Sequence, residues 1–290
     1  MKNLKLIDSK KSQIEDVYKL IFEDDDVLEV SYIRKGDGKD ILCVPSQTSC
    51  NLKCVFCHLT GLGIKAKNLN SERIINLIEA SLKYQLPANK TLLISYMGAG
   101  DGLMNLDGVL GSALHMRDHS SFEDIRNQYN TIRFAISTII PNEIKFNQFK
   151  KSIKQHKLDF KLHWSLHSLD SVSRKNLMPA ALNIPDALKM IDNYIEETGN
   201  PVEIHYTLMD EINDREEDLN NFIKYVSKKP TIKFLKFAEK KNEPLMRGSK
   251  RVNWFKSELE KNGFKVEVYS PPGSDIGSSC GQFLLDQYVK

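Results

Sequence analysis

Five cysteines stand at positions 43, 50, 54, 57 and 280 of this 290-residue chain, and three of them share one short segment, Cys50-Asn51-Leu52-Lys53-Cys54-Val55-Phe56-Cys57. Thiolates are soft ligands that suit an iron–sulfur cluster or zinc. Structural zinc sites usually complete four protein ligands, often from two Cys-x2-Cys pairs. Here the other two cysteines are distant, and the nearest histidine, His58, directly follows Cys57. Three thiolates in one tight loop can instead hold three irons of a 4Fe-4S cubane and leave the fourth iron open for a substrate. An odd cysteine count also argues against a disulfide framework.

Such a loop needs a scaffold. Short apolar runs at 40–45, 91–97, 131–138, 161–166, 202–209 and 232–237 predict six strands. Amphipathic stretches at 71–86, 144–156, 185–198, 216–228 and 252–262 predict helices, with Ser71 as an N-cap. Alternating strands and helices imply parallel strands joined by right-handed crossovers. The expected fold is α/β, a partial (β/α)6 TIM-like barrel. The cysteine segment then follows the first barrel strand, at the strand ends where such barrels carry their chemistry. A β-hairpin precedes it, from alternation at 28–33 and 40–44 around the turn signal at 35–38. Residues 1–26 are expected as a short N-terminal helical extension. Residues 27–290 are expected as one core, ending in a strand at 265–269, a Pro271-Pro272-Gly273 turn and a loop holding Cys280.

A hydrophobic fraction of 41% is ample for a core in a chain of this length. No apolar run approaches the roughly 20 residues of a membrane span. Residues 1–12 are polar and lack the apolar run of a signal peptide, so a cytoplasmic location is expected. A net charge of +3 is too small to bind nucleic acid by electrostatics alone, and the lysines of 150–157 and 224–241 read as solvated surface.

The cluster segment resembles that of the radical SAM superfamily, where an aromatic residue, here Phe56, usually precedes the third cysteine. A longer ordered series is similar to the RNA adenine methyltransferases of the RlmN/Cfr family. It comprises Cys43-Val-Pro-Ser-Gln-Thr-Ser-Cys50, Tyr96-Met-Gly-Ala-Gly-Asp-Gly102 with 103–106, Ala135-Ile-Ser-Thr138 with Pro141, and Ser165-Leu-His167 with Arg174 and Pro179. It continues through 206–214 and Ser279-Cys280-Gly281-Gln282. The resemblance implies a 4Fe-4S cluster on Cys50, Cys54 and Cys57, and S-adenosylmethionine (SAM), two per turnover. It implies that Cys280 carries the methyl group, that Cys43 releases the product through a Cys43–Cys280 disulfide, and that Glu29 is the base. It places SAM near Phe56, Gly98, Gly100, Asp101, Ser137, Ser165 and His167. The family has Gly-Glu-Pro where this chain has Gly100-Asp101-Gly102, and Trp-Asn where it has Phe237-Ala238.

The implied product is an adenine methylated at carbon 2 or carbon 8, in ribosomal or transfer RNA. An electron donor such as flavodoxin or ferredoxin is expected, as are a monomer and no membrane partner. The family carries a separate N-terminal RNA-contacting domain, whereas about 27 residues precede the matching region here, so a small adenine-containing acceptor stays open. Lys65, Lys67, Arg247, Lys250 and Arg251 are expected near the barrel mouth, placed to grip phosphates.

Overall fold

The computed structural model describes residues 3–35, 38–84, 87–118, 123–238, 246–277 and 282. Ten strands form one sheet in sequence order. The first four, β1 (Lys5–Lys11), β2 (Val17–Glu23), β3 (Val27–Lys35) and β4 (Lys39–Val44), make an antiparallel meander. From β4 onwards every pairing is parallel, through β5 (Thr91–Tyr96), β6 (Thr131–Thr138), β7 (Phe160–Ser165), β8 (Val202–Thr207), β9 (Thr231–Leu235) and β10 (Val266–Tyr269). The parallel strands therefore number seven, the six expected and the one at the C-terminal end.

Among the described residues, eight helices lie between the strands: α1 (Ser71–Tyr84), α2 (Leu106–Asp118), α3 (Glu123–Gln128), α4 (Glu143–His156), α5 (Ser171–Leu177), α6 (Ile184–Thr198), α7 (Glu216–Tyr225) and α8 (Val252–Lys261). Their apolar stripes explain their positions. Ile74, Leu77 and Ile78 of α1, and Ala187, Met190, Ile191 and Tyr194 of α6, are buried at helical spacing. They pack against outward-facing strand residues such as Leu42, Ile94, Ile136, Leu162, Trp164 and Ile204. Asn142 caps α4 and Asp170 caps α5 through side-chain oxygens that accept backbone N–H groups. Among the described residues, no helix is long and apolar enough to cross a membrane.

The expected N-terminal helix is corrected: residues 5–11 and 17–23 are strands. Val17-Tyr18-Lys19-Leu20-Ile21-Phe22 is buried at every position. β-Branched and aromatic residues buried on both faces suit a strand inside a layered wall, not a one-sided surface helix. The acidic stretch after it is the β2–β3 turn, where Asp24 and Asp26 both bind Arg73 of α1.

The sheet is not closed by a ladder between β1 and β10. Side chains bridge the gap instead. Ser12 Oγ donates to Asp275 Oδ1 at 2.7 Å, Gln13 N–H donates to Asp275 Oδ2 at 2.8 Å, and Gly273 N–H donates to the Glu15 carboxylate.

Candidate active site

The cysteine loop leaves β4 at Val44 and is fastened at several points before α1. Ser46 and Gln47 donate backbone N–H groups to Ala99 O, and Leu69 N–H donates to Ser46 O. Asn105 Nδ2 reaches both Ser46 O and Leu69 O, at 2.6 and 2.7 Å. Two glycines after β5 make this possible. A Cβ on Gly98 would lie 2.8 Å from Pro45 N, and one on Gly100, whose φ is +95°, would meet Gln47. These glycines therefore admit the protein's own loop. Within it, Lys53 adopts a left-handed φ of 58°, Cys57 N–H donates to Cys54 O, and Thr60 Oγ1 donates to Cys54 O.

Cys54 is buried, Cys50 and Cys57 are half-buried, and none of the three is in a disulfide among the described residues. Burial pushes the Cys50 thiol up to about 12 and Cys54 higher still, and the neighbouring cysteines and Asp101 add to the rise. Arg174, buried on α5, opposes this at Cys54. With Cys50 and Cys54 raised in this way, the loop lacks the positive charge that thiolates need, and iron ions would supply it. The donor set fits a 4Fe-4S cluster.

Above the loop, the Phe56 and His167 rings meet edge to face at 4.7 Å. His167 is buried with φ 52°, and its Nδ1 accepts Thr207 N–H at 3.0 Å, so Nε2 carries the proton. Burial, then Arg174 and His205, pull its pKa down to about 3, which keeps it neutral. Asp101 is 4% exposed; its oxygens accept the N–H groups of Leu103 and Ile139, tying the end of β5 to the end of β6. Burial raises its pKa to about 6. Ser137 and Ser165 are half-buried at the upper ends of β6 and β7. Among the basic residues, Lys65, Lys67, Arg247 and Lys250 are exposed. Lys67 pairs with Asp26, and Arg251 lies 4.1 Å over the Trp254 ring.

Below the loop lies a cavity of about 290 Å³, lined by Cys43, Phe56, Cys57, His58 and inward residues of the strands. Cys43 sits in register between Ser31 of β3 and Ser95 of β5. Glu29, buried on β3, faces the fully buried Lys19 ammonium of β2. Cys280 lies outside the described residues.

Lys19 was not among the expected site residues because residues 1–26 read as helix, and nothing in its apolar surroundings marks the strand. A second group also escaped. On the opposite wall, Glu203 receives Lys161 at 2.6 Å and Lys233 at 2.7 Å, while His163 and His205 each place Nε2 3.4 Å from Glu203 Oε2. Burial would raise the Glu203 carboxyl, but His205, His163 and the two lysines hold it well below the carboxylate range. The trio His163, Glu203 and His205 has the composition of a metal site. Two ammonium groups already hold its carboxylate, so it reads as a closed ion network.

No family model matches the chain. A probable dual-specificity RNA methyltransferase RlmN from Thermotoga maritima is 30% identical to it, over 97% of this chain and 80% of that protein. The dual-specificity RNA methyltransferase RlmN of Buchnera aphidicola is also 30% identical, over 84% and 67%. Among solved structures, a radical SAM methyltransferase from Sphaerobacter thermophilus superposes with a TM-score of 0.82 at 21% identity, covering 97% of this chain and 81% of that one. The fold, the cysteine loop at its mouth and the extent of this likeness agree, and the chain belongs to the RlmN family of radical SAM methyltransferases.

Proposed function

We propose that the protein methylates an sp2 carbon, C2 or C8, of adenine in ribosomal or transfer RNA, through a methyl group first placed on Cys280. The observation that carries this reading is Cys43 on the wall of the same cavity that Cys57 and Phe56 line. Bound on Cys50, Cys54 and Cys57, a 4Fe-4S cluster with SAM supplies the one-electron chemistry.

An aromatic C–H carbon is a poor nucleophile, so direct transfer from a sulfonium fails. The Cys280 thiolate takes the methyl group from a first SAM, loses one hydrogen from it while a second SAM is consumed, and bonds through that carbon to the adenine. Glu29, paired with Lys19, accepts the proton from the substituted carbon, and the one surplus electron is given up, which the cluster would take back. The Cys43 thiolate then attacks the Cys280 sulfur, the sulfur–carbon bond breaks, the released carbon takes up a proton to complete the methyl group, and the methylated base leaves. The resulting Cys43–Cys280 disulfide is reduced by an external thiol before the next turnover.

The test uses SAM with a fully deuterated methyl group and RNA transcripts, read by mass spectrometry of the digested nucleosides. The mechanism yields methyladenosine that has lost one deuterium from the methyl group. Methyladenosine keeping all its deuterium indicates direct transfer and rejects the route.

A further inference from the structure

Two buried polar atoms on the inner wall have no hydrogen-bond partner among the described residues, Ser95 Oγ of β5 and His163 Nδ1 of β7. Ser95 is 2% exposed and His163 5%. Both line the cavity that also holds Cys43, and Ser95 is in register with Cys43. A buried polar group left unmade costs about 1–3 kcal/mol, so two in one cavity mark the place of a ligand.

Their positions suit one flat molecule. Between β5 and β7 runs β6, where Ala135 stands in register with Ser95, while Ser137, two residues further along, stands in register with His163. With strands about 4.8 Å apart and a rise of about 3.3 Å per residue, the two backbone positions lie about 12 Å from one another on a diagonal of the wall. A purine with a hydrogen bond at each end bridges such a span.

The proton positions narrow the ligand further. His163 Nε2 lies 3.4 Å from a carboxylate oxygen of Glu203. The adjacent negative charge favours a proton on Nε2, which leaves Nδ1 as a lone-pair acceptor. Burial, then His205, keep this imidazole neutral. Lys161 and Lys233 hold Glu203 in place, and with it the charge that favours this tautomer. The Ser95 hydroxyl turns freely between donating and accepting. The wall thus offers one acceptor and one adaptable hydroxyl. A 6-aminopurine matches them, with an amino N–H for Nδ1 and a ring nitrogen for the hydroxyl.

We propose that Ser95 and His163 form the recognition subsite for the acceptor base, His163 Nδ1 accepting from the 6-amino group and Ser95 donating to a ring nitrogen. Glu203 is the positioning residue that sets the His163 tautomer. The assignment rests on adenine being the acceptor.

The test titrates adenosine and purine riboside, which lacks the amino group, into the iron-loaded protein with SAM saturating. The wild type is expected to prefer adenosine by about tenfold, one hydrogen bond's worth. His163→Leu should erase that preference, and Ser95→Ala should weaken both ligands about tenfold. Equal binding of the two nucleosides by the wild type, or an undiminished preference in His163→Leu, overturns the subsite. A loss of SAM affinity in either variant assigns the two atoms to SAM and overturns it equally.

Methylation of RNA transcripts, measured in parallel, separates the subsite from the function it rests on. A wild type that methylates adenine in RNA, with both variants keeping its KM for RNA, leaves the function standing and removes the subsite. A wild type that methylates no RNA but binds adenosine in a His163-dependent way keeps the subsite and moves the acceptor to a small adenine compound.

Discussion

Lys19 and Glu29 face one another in the barrel wall, at 0% and 7% side-chain exposure. Breaking such a pair strands a charge, and Lys19→Met is expected to cost about 3–5 kcal/mol in chemical denaturation. Adding Glu29→Gln should recover much of that loss; a double variant no more stable than Lys19→Met contradicts the pairing. The buried imidazoles set a pH signature. His163, His167 and His205 all have folded-state pKa values below the ordinary 6.5. Their contribution is full above pH 6.5 and is lost as pH falls through 6.5 towards the folded values, because the unfolded chain takes the protons first. Each imidazole adds about 1.4 kcal/mol per pH unit to the slope below 6.5. Asp101 has the opposite sign, since its pKa is raised from 3.8 to about 6. Its share is full below 3.8 and is lost as pH rises through 6, so Asp101→Asn should steepen the acid loss between pH 4 and 6. Urea midpoints measured from pH 7.5 to 4 check both, and a flat wild-type profile contradicts them.

The turn after β5 carries the cysteine loop through two close backbone approaches. Gly98→Ala would set a Cβ 2.8 Å from Pro45 N, against backbone that cannot swing aside. It is expected to cost about 1–3 kcal/mol and to lower the iron retained per chain, measured by denaturation and iron analysis. Full stability with full iron would show that the loop tolerates displacement. The parallel strands and the main helices were legible because each has one dominant period. α6, for example, repeats its apolar residues at helical spacing and is bracketed by Asn183 and Gly199. The first 26 residues were misread. β2 is apolar or aromatic on both faces apart from Lys19, so no alternation marks it as a strand. Buried runs of that kind separate from helix only once their neighbours are known. At Gly98 and Gly100, Pro45 and Gln47 stand where a Cβ would lie, a close approach that only the folded loop reveals.

At the scale of the whole sheet, residues from eight of the described strands line a cavity with two unlike walls. Ile41, Leu93, Val17 and Ile33 make one apolar, while Lys161, His163, Glu203, His205 and Lys233 make the other polar. The cysteine loop was legible because its ligands are fixed by covalent spacing within eight residues. The polar wall was not, because its members come from three strands and meet only when the sheet curls. Alternation in β7 and β8 puts Lys161, His163, Glu203 and His205 on one face, but it does not say that they share one carboxylate. The ring itself is completed by Ser12, Gln13 and Glu15 holding the segment 273–275 that leads towards Cys280. The account makes Cys43 and Cys280 two halves of one reaction, and mass spectrometry of the Cys280 peptide from Cys43→Ala, purified after exposure to SAM and RNA, tests this most directly. Without Cys43 the covalent adduct has no release step, so Cys280 should carry a methylene-linked adenine nucleotide. Cys280 found unmodified, in a variant that still methylates RNA, would contradict the account.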